Sequence, residues 1–206
     1  PYTTLFRSAF HRRFRYRDGT EQFGVHGDPG QVVGAAGPTD PELGVLAFRE
    51  TVTAPPFAMI VNYSLHIDVT GGTRISADYP AVMTEAVRRV YRTDAVVLFV
   101  QGACGNINHV PYRLDRPWPG KGLEKSEQIG RAFAGKAVCV AEKALPTTQT
   151  SVDAAREILT VPNHPWDDVV EQRLALARSR DEPTFFEKRL LERADDYAPD
   201  GVADRE

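Results

Sequence analysis

The chain has 206 residues, of which 42% are hydrophobic and 26% charged, so it can bury the core of one ordinary soluble domain. A net charge of −3 argues against nucleic-acid or membrane-surface binding, which usually shows a basic patch. The longest apolar runs, FAMIV and AVVLFV, are far too short to span a bilayer and read as buried strands.

The first eight residues, PYTTLFRS, match one reading frame of a common short-read sequencing adapter. They are expected to be an artefact that adds nothing to the fold. The rest, residues 9–206, reads as part of one domain cut at both ends. The polar stretch from Arg12 to Gly44 is rich in Gly and Pro without a sustained period, which predicts a long surface-wrapping loop built from turns. GVLAFRE (Gly44 to Glu50) alternates as a half-buried strand. FAMIVNYSL (Phe57 to Leu65) is nearly continuous in apolar residues, as a central strand would be.

Asp78 and Pro80 open a helix along which Val82, Ala86, Val87 and Val90 recur at helical spacing, and Pro fits a first turn. AVVLFVQ (Ala95 to Gln101) predicts the next buried strand, and a Gly/Pro-rich excursion from Val110 to Gly122 carries Trp118. A second helix, Glu124 to Leu145, puts Ile129, Phe133, Ala137 and Val140 on one face. SVDAAREILTV predicts an edge strand. Charged amphipathic helices follow at Trp166 to Arg180 and Thr184 to Arg193, the latter opened by Pro183. Strand, helix, strand, helix predicts an α/β fold: a mainly parallel or mixed sheet with flanking helices, here an incomplete domain. No internal repeat or low-complexity segment is evident.

In open α/β sheets ligands gather beyond the carboxyl ends of the strands. One central strand ends in NYSLHIDVTGG, with His66 and then Asp68 at that edge; the other ends in QGACGNINHV, with Gly105, Asn106, Asn108 and His109. A single helix links the two strands, so the right-handed crossover makes them neighbours or nearly so. A histidine and two amides converging there suit a metal or oxyanion site. On pattern alone His66 reads equally as a hydrogen-bonded structural residue, Cys104 as a small buried thiol, and Asp78 as a helix N-cap or an acceptor behind a metal ligand. The chain has no H-E-x-x-H, G-x-S-x-G, Walker or dinucleotide fingerprint. Neither Cys104 nor Cys139 belongs to a C-x-x-C pair.

AFHRRFRYRDGT, GPTDPELGVLAF, IVNYSLHIDVTGGTRISADYP and LFVQGACGNINHV follow in this order. Together they resemble the bacterial relatives of neutral, non-lysosomal ceramidase within its N-terminal catalytic domain, over about residues 10 to 145. In that family a strand ending in N-F-x-x-H delivers a zinc ligand, and N-Y-S-L-H places the role on His66. The family's G-D-V-S-P-N hexapeptide, with its catalytic serine, reads Gly105-Asn106-Ile107-Asn108-His109-Val110 here. Asn108 has no nucleophilic hydroxyl; Asn106 and Asn108 are expected to orient substrate or to donate to a developing oxyanion, with Gly105 contacting substrate and His109 facing substrate or the metal. The family's other zinc ligands, from a T-H-T-H-like motif and from a downstream Glu and Tyr, have no counterpart, and the role is not carried onto His11, His26 or His164.

The resemblance implies a Zn2+-dependent hydrolase that acts on a small-molecule or lipid-like amide. It implies a secreted or periplasmic protein too. The alternative is a non-catalytic domain that keeps the fold and binds a ligand in the same crevice.

Overall fold

A computed structural model of the chain describes residues 2–5, 8–25, 27–73, 75–111, 120–148, 151–161, 167–183 and 185–194. It divides into two compact units, residues 1–148 and 149–206. In chain order the first unit holds β1 (Tyr2–Leu5), β2 (Phe10–His11), β3 (Arg13–Tyr16), β4 (Glu21–Phe23), β5 (Val32–Ala35), β6 (Glu42–Phe48), β7 (Ala58–Tyr63), α1 (Asp78–Tyr91), β8 (Val96–Gln101), β9 (Ile107–Asn108) and α2 (Leu123–Lys143). The second holds α3 (Asp168–Arg178) and α4 (Phe185–Ala194).

The principal sheet has four strands in the order β1-β6-β7-β8. β6 runs antiparallel to both β1 and β7, while β7 and β8 are parallel, with Tyr63 opposite Gln101 at their carboxyl ends. This is the mixed sheet of an α/β fold. Alternation sorts its two faces. Leu43, Val45, Met59, Val61 and Tyr63 point inward with relative exposures of 0–5%, and meet Tyr79, Met83 and Val87 of α1 and Phe133 and Ala137 of α2. The opposite face presents Leu46, Val96, Leu98 and Val100, exposed to 44–55%. Parallel pairs are usually covered on both faces; here only one face of the strand pair is buried.

Aromatic rings knit the core beneath the carboxyl edge. Phe133 stacks on Tyr79 at 5.2 Å between centroids and meets Tyr63 edge-on at 5.1 Å, contacts that add about 0.5–1.5 kcal/mol each beyond area burial. Gly130 lets α2 approach α1: a Cβ there would lie 2.5 Å from Val82 Cβ and 2.7 Å from the Tyr79 carbonyl oxygen. At the other end of the sheet Arg49 donates to Glu142 Oε1 and to the Ala54 carbonyl, both at 2.7 Å, and the Tyr91 hydroxyl donates to the same Glu142 oxygen. These residues line a shallow cleft of about 300 Å³, remote from the carboxyl edge.

Two expectations are corrected. The stretch from Arg12 to Gly44 is not an irregular loop: β4-β3-β5 form an antiparallel three-stranded sheet, and β2 pairs with β9. Arg13 and Arg15 pair with Glu21 and alternate with Phe14 and the buried Tyr16, but the alternation lasts only four residues amid turn-forming sequence, too short to stand out. Residues 151–161 form no strand; Val152, Ile158, Leu159 and Val161 are 71–97% exposed, and strand propensity without a pairing partner does not make a strand. Tyr2–Leu5 pairs with β6 through residues 42–45.

In the second unit the Asp167 side chain caps α3 by accepting from the Val170 N–H at 2.9 Å, as its sequence position favours. Leu174 and Ala177 are its buried residues. Trp118, His164 and Trp166 lie outside the described residues, as does His26. Among the described residues no helix is long and apolar enough to cross a membrane.

Candidate functional site at the carboxyl edge of the parallel strands

Because β7 and β8 are adjacent and parallel, the segments that leave them emerge side by side. The Gly102 N–H donates to the Tyr63 carbonyl at 3.0 Å, and Gln101 Nε2 donates to the Leu65 carbonyl at 3.2 Å and to Cys104 Sγ at 2.9 Å. A Cβ on Gly102 would stand 2.5 Å from Ser64 Oγ and 3.2 Å from its backbone nitrogen. Glycine is therefore what allows the two strand ends to touch.

The His66–Asp68 loop is fixed from below by Asp78, which is 5% exposed. Asp78 Oδ2 accepts from the backbone N–H groups of Val69 at 2.7 Å and Thr70 at 2.9 Å, and Oδ1 accepts from the Tyr79 N–H at 2.6 Å. Burial pushes its carboxyl up, but hydrogen bonds from Thr70, Ser126, Tyr79 and Val69 outweigh that and hold it below the ordinary carboxylate value. Asp78 is the first residue of α1, with φ +54° and its own N–H donating to Ser76 Oγ. Inside the helix, where it bonds only to the next residue's N–H, it is not an N-cap, which accepts from the second or third helical N–H; it positions the loop. The Tyr79 hydroxyl donates to the Leu65 carbonyl at 3.2 Å.

His66 is half-buried, and its Nδ1 is shut off from water with no hydrogen-bond partner. Asp68 Oδ1 is in the same state. Across the crevice, the turn from Gly105 to His109 is anchored by Arg12. Its guanidinium donates to the Gly105 carbonyl at 2.7 Å, its backbone N–H donates to the Asn106 carbonyl at 2.9 Å, and it stacks on Phe23 at 4.6 Å. Gly105 and Asn106 are exposed at the tip. Asn108 is buried and its Oδ1 accepts from the Val110 N–H at 3.2 Å.

The His109 side chain is fully buried; its Nε2 bonds to the Gly120 carbonyl, and its Nδ1 lies 3.7 Å from Asp68 Oδ1. Burial lowers its pKa below the usual histidine value, despite the opposing influence of Gly120 and Asp68, so the ring is neutral at pH 7. Lys121 Nζ stands 3.9 Å from the other Asp68 oxygen.

The structure thus brings His66, Asp68, Gly105, Asn106, Asn108 and His109 to one sheet edge. The His11 backbone pairs with Ile107 of the turn, but its side chain is turned to Arg13, with Nδ1 2.9 Å from the Arg13 carbonyl and 3.2 Å from its N–H. Sequence pattern missed Arg12, hidden in a basic run, and Gln101, an ordinary strand-end polar residue. Asp68 was visible at the edge, but nothing in its spacing showed that it would meet His109. Among the described residues no three His, Cys, Asp or Glu side chains stand close enough to hold a metal ion together.

Fold and site together define an α/β domain with a polar crevice where the carboxyl ends of two parallel strands meet. No protein-family model matches the chain, and no curated protein sequence does. Among solved structures it is similar to the neutral ceramidase from Pseudomonas aeruginosa, at 19% identity and a TM-score of 0.44, over 51% of this chain and 17% of that one. A ceramidase complexed with C2 is similar at 18% identity and a TM-score of 0.46, over 69% of this chain and 22% of that one. The chain spans less than a quarter of the length of either structure.

Proposed function

We propose that this chain is part of a zinc-dependent hydrolase whose substrate is an amide or related bond in a small or lipid-like molecule. The observation that carries the reading is the edge itself. Adjacent parallel strands deliver the His66 loop and the Gly105–His109 turn to one sheet edge, and His66 holds a buried ring nitrogen that nothing among the described residues satisfies. A ring nitrogen without a hydrogen bond suits a metal ligand. The resemblance of N-Y-S-L-H and the following segment to the ceramidase motif supports the same role.

A bound zinc ion lowers the pKa of a coordinated water to about 7 and polarises a scissile carbonyl. His66 contributes a lone pair to it. Asn106, exposed at the turn tip, orients the substrate. Asn108 spends its carbonyl oxygen on the Val110 N–H, which leaves its NH2 group as the donor toward negative charge. Gln101 ties the two segments together through the Leu65 carbonyl, and Arg12 anchors the turn. No acyl-enzyme forms at position 108, because an amide is not a nucleophile. That same substitution favours a second reading, a domain that binds a ligand in the crevice without hydrolysing it.

A catalytic zinc site takes about three protein ligands, and His66 alone is expected to hold the ion weakly. After dialysis the chain should retain little zinc and should hydrolyse neither ceramide nor a simple amide. In a longer protein that contains this chain, His66→Ala should strip the zinc. Tight stoichiometric zinc in the short chain would show that the ligands are misassigned, and equal zinc in the longer protein and its variant would remove His66 from the site. Bound substrate without turnover in a zinc-loaded longer protein would favour the binding reading.

A further inference from the structure

We infer that Asp68 and His109 form a site for a divalent cation of the zinc class, seated between Asp68 Oδ1 and His109 Nδ1. The argument begins with the proton on His109. Its Nε2 faces the Gly120 carbonyl, which only accepts. Nε2 therefore carries the hydrogen, and the neutral ring presents a bare lone pair at Nδ1. That lone pair faces Asp68 Oδ1, itself only an acceptor, across 3.7 Å. Among the described residues neither atom has a hydrogen-bond partner, and neither reaches water. Two buried acceptors that face each other repel, and each also forfeits its hydration.

The gap has the dimensions of an ion. An atom bonded to both donors at roughly 2.0–2.2 Å would see them roughly 115–135° apart, within reach of a distorted tetrahedral site. A water hydrogen-bonded to both at roughly 2.8 Å would see them about 83° apart, well inside its own H–O–H angle. One imidazole nitrogen and one carboxylate oxygen suit zinc-like ions better than calcium or magnesium, which prefer oxygen alone. Lys121, whose side chain is 61% exposed, is free to swing away as the cation replaces it beside Asp68. Lys125 also acts on His109 electrostatically, and with two lysines near a single carboxylate the affinity is modest.

The test is a titration of the 206-residue chain with Zn2+, and with Mg2+ as control, followed through the imidazole nitrogens by long-range 1H–15N NMR. The His109 Nδ1 resonance should move with zinc and not with magnesium, and Asp68→Asn should weaken that response at least tenfold. Without metal, Asp68→Asn should melt at a higher temperature than the parent, because its NH2 group can donate to the bare Nδ1; a variant that merely failed to fold would melt lower. A His109 Nδ1 signal unmoved at saturating zinc, or equal zinc affinity in Asp68→Asn, would overturn the site. His66→Ala separates this inference from the proposed catalytic ligand. An unchanged His109 response in that variant supports the pair as a site of its own, and loss of the response in both variants overturns it, since no three such side chains among the described residues stand close enough to share an ion. Loss in His66→Ala with an intact response in Asp68→Asn overturns it.

Discussion

Asp78 shows how much one buried carboxylate can organise. It accepts from two consecutive backbone amides of the loop that carries His66 and Asp68, and from the first turn of α1. Asn keeps the shape and tolerates the positive φ, but it offers one acceptor and no charge. Asp78→Asn is expected to cost about 2–3 kcal/mol in chemical denaturation, since hydrogen bonds to charged groups contribute roughly 1.5–3 kcal/mol. The pH dependence has a definite sign. The folded carboxyl titrates below its ordinary value, so its stabilisation is fully present above the unfolded pKa of about 3.9 and fades as pH falls below it. The parent should lose stability below pH 4 more steeply than Asp78→Asn. Parallel slopes would mean that the carboxylate is not held as described. Sequence gave no hint of this role, since an Asp before a helix ordinarily reads as a cap.

At the scale of elements, hydrophobic pattern located what the core holds. β6, β7, β8, α1 and α2 fall within a few residues of their expected spans, because each turns apolar residues toward the others; β8, expected to be buried, is an edge strand that packs only Val97 and Phe99 against the core. β3 escaped because its Arg-Phe-Arg-Tyr alternation spans only four residues, and β9 because two residues carry no period. The His66 loop and the Gly105 turn were legible as partners because strand–helix–strand handedness fixes neighbours. The Asp68–His109 approach was not, since it depends on side-chain directions within two loops. β1 pairs with the outer edge of β6 through backbone only as far as it is described, and β6 stays paired with β7 without it. Removing residues 1–8 should therefore change the unfolding free energy by no more than about 0.5 kcal/mol, the range of ordinary surface changes. A larger loss would show that this edge strand contributes to the stability of the sheet.

For the whole molecule, the division after Thr148 makes a prediction that the expected single domain over residues 9–206 does not. The core cluster lies entirely within the first unit. A chain ending at residue 148 should keep the cooperative unfolding of the parent, with its denaturant midpoint unchanged, followed by circular dichroism. A shifted midpoint or lost cooperativity would show that residues 149–206 are part of the same folding unit. Circular dichroism suits this experiment because of the sheet face bearing Leu46, Val96, Leu98 and Val100. Environment-sensitive dyes such as ANS light up on exposed apolar surface, and this face offers one before anything has unfolded. The native protein will glow at the start of a dye-reported melt, and the same stickiness will retain it on phenyl resins at moderate salt. A high initial fluorescence is then the signature of this fold in its native state and no sign of a damaged sample.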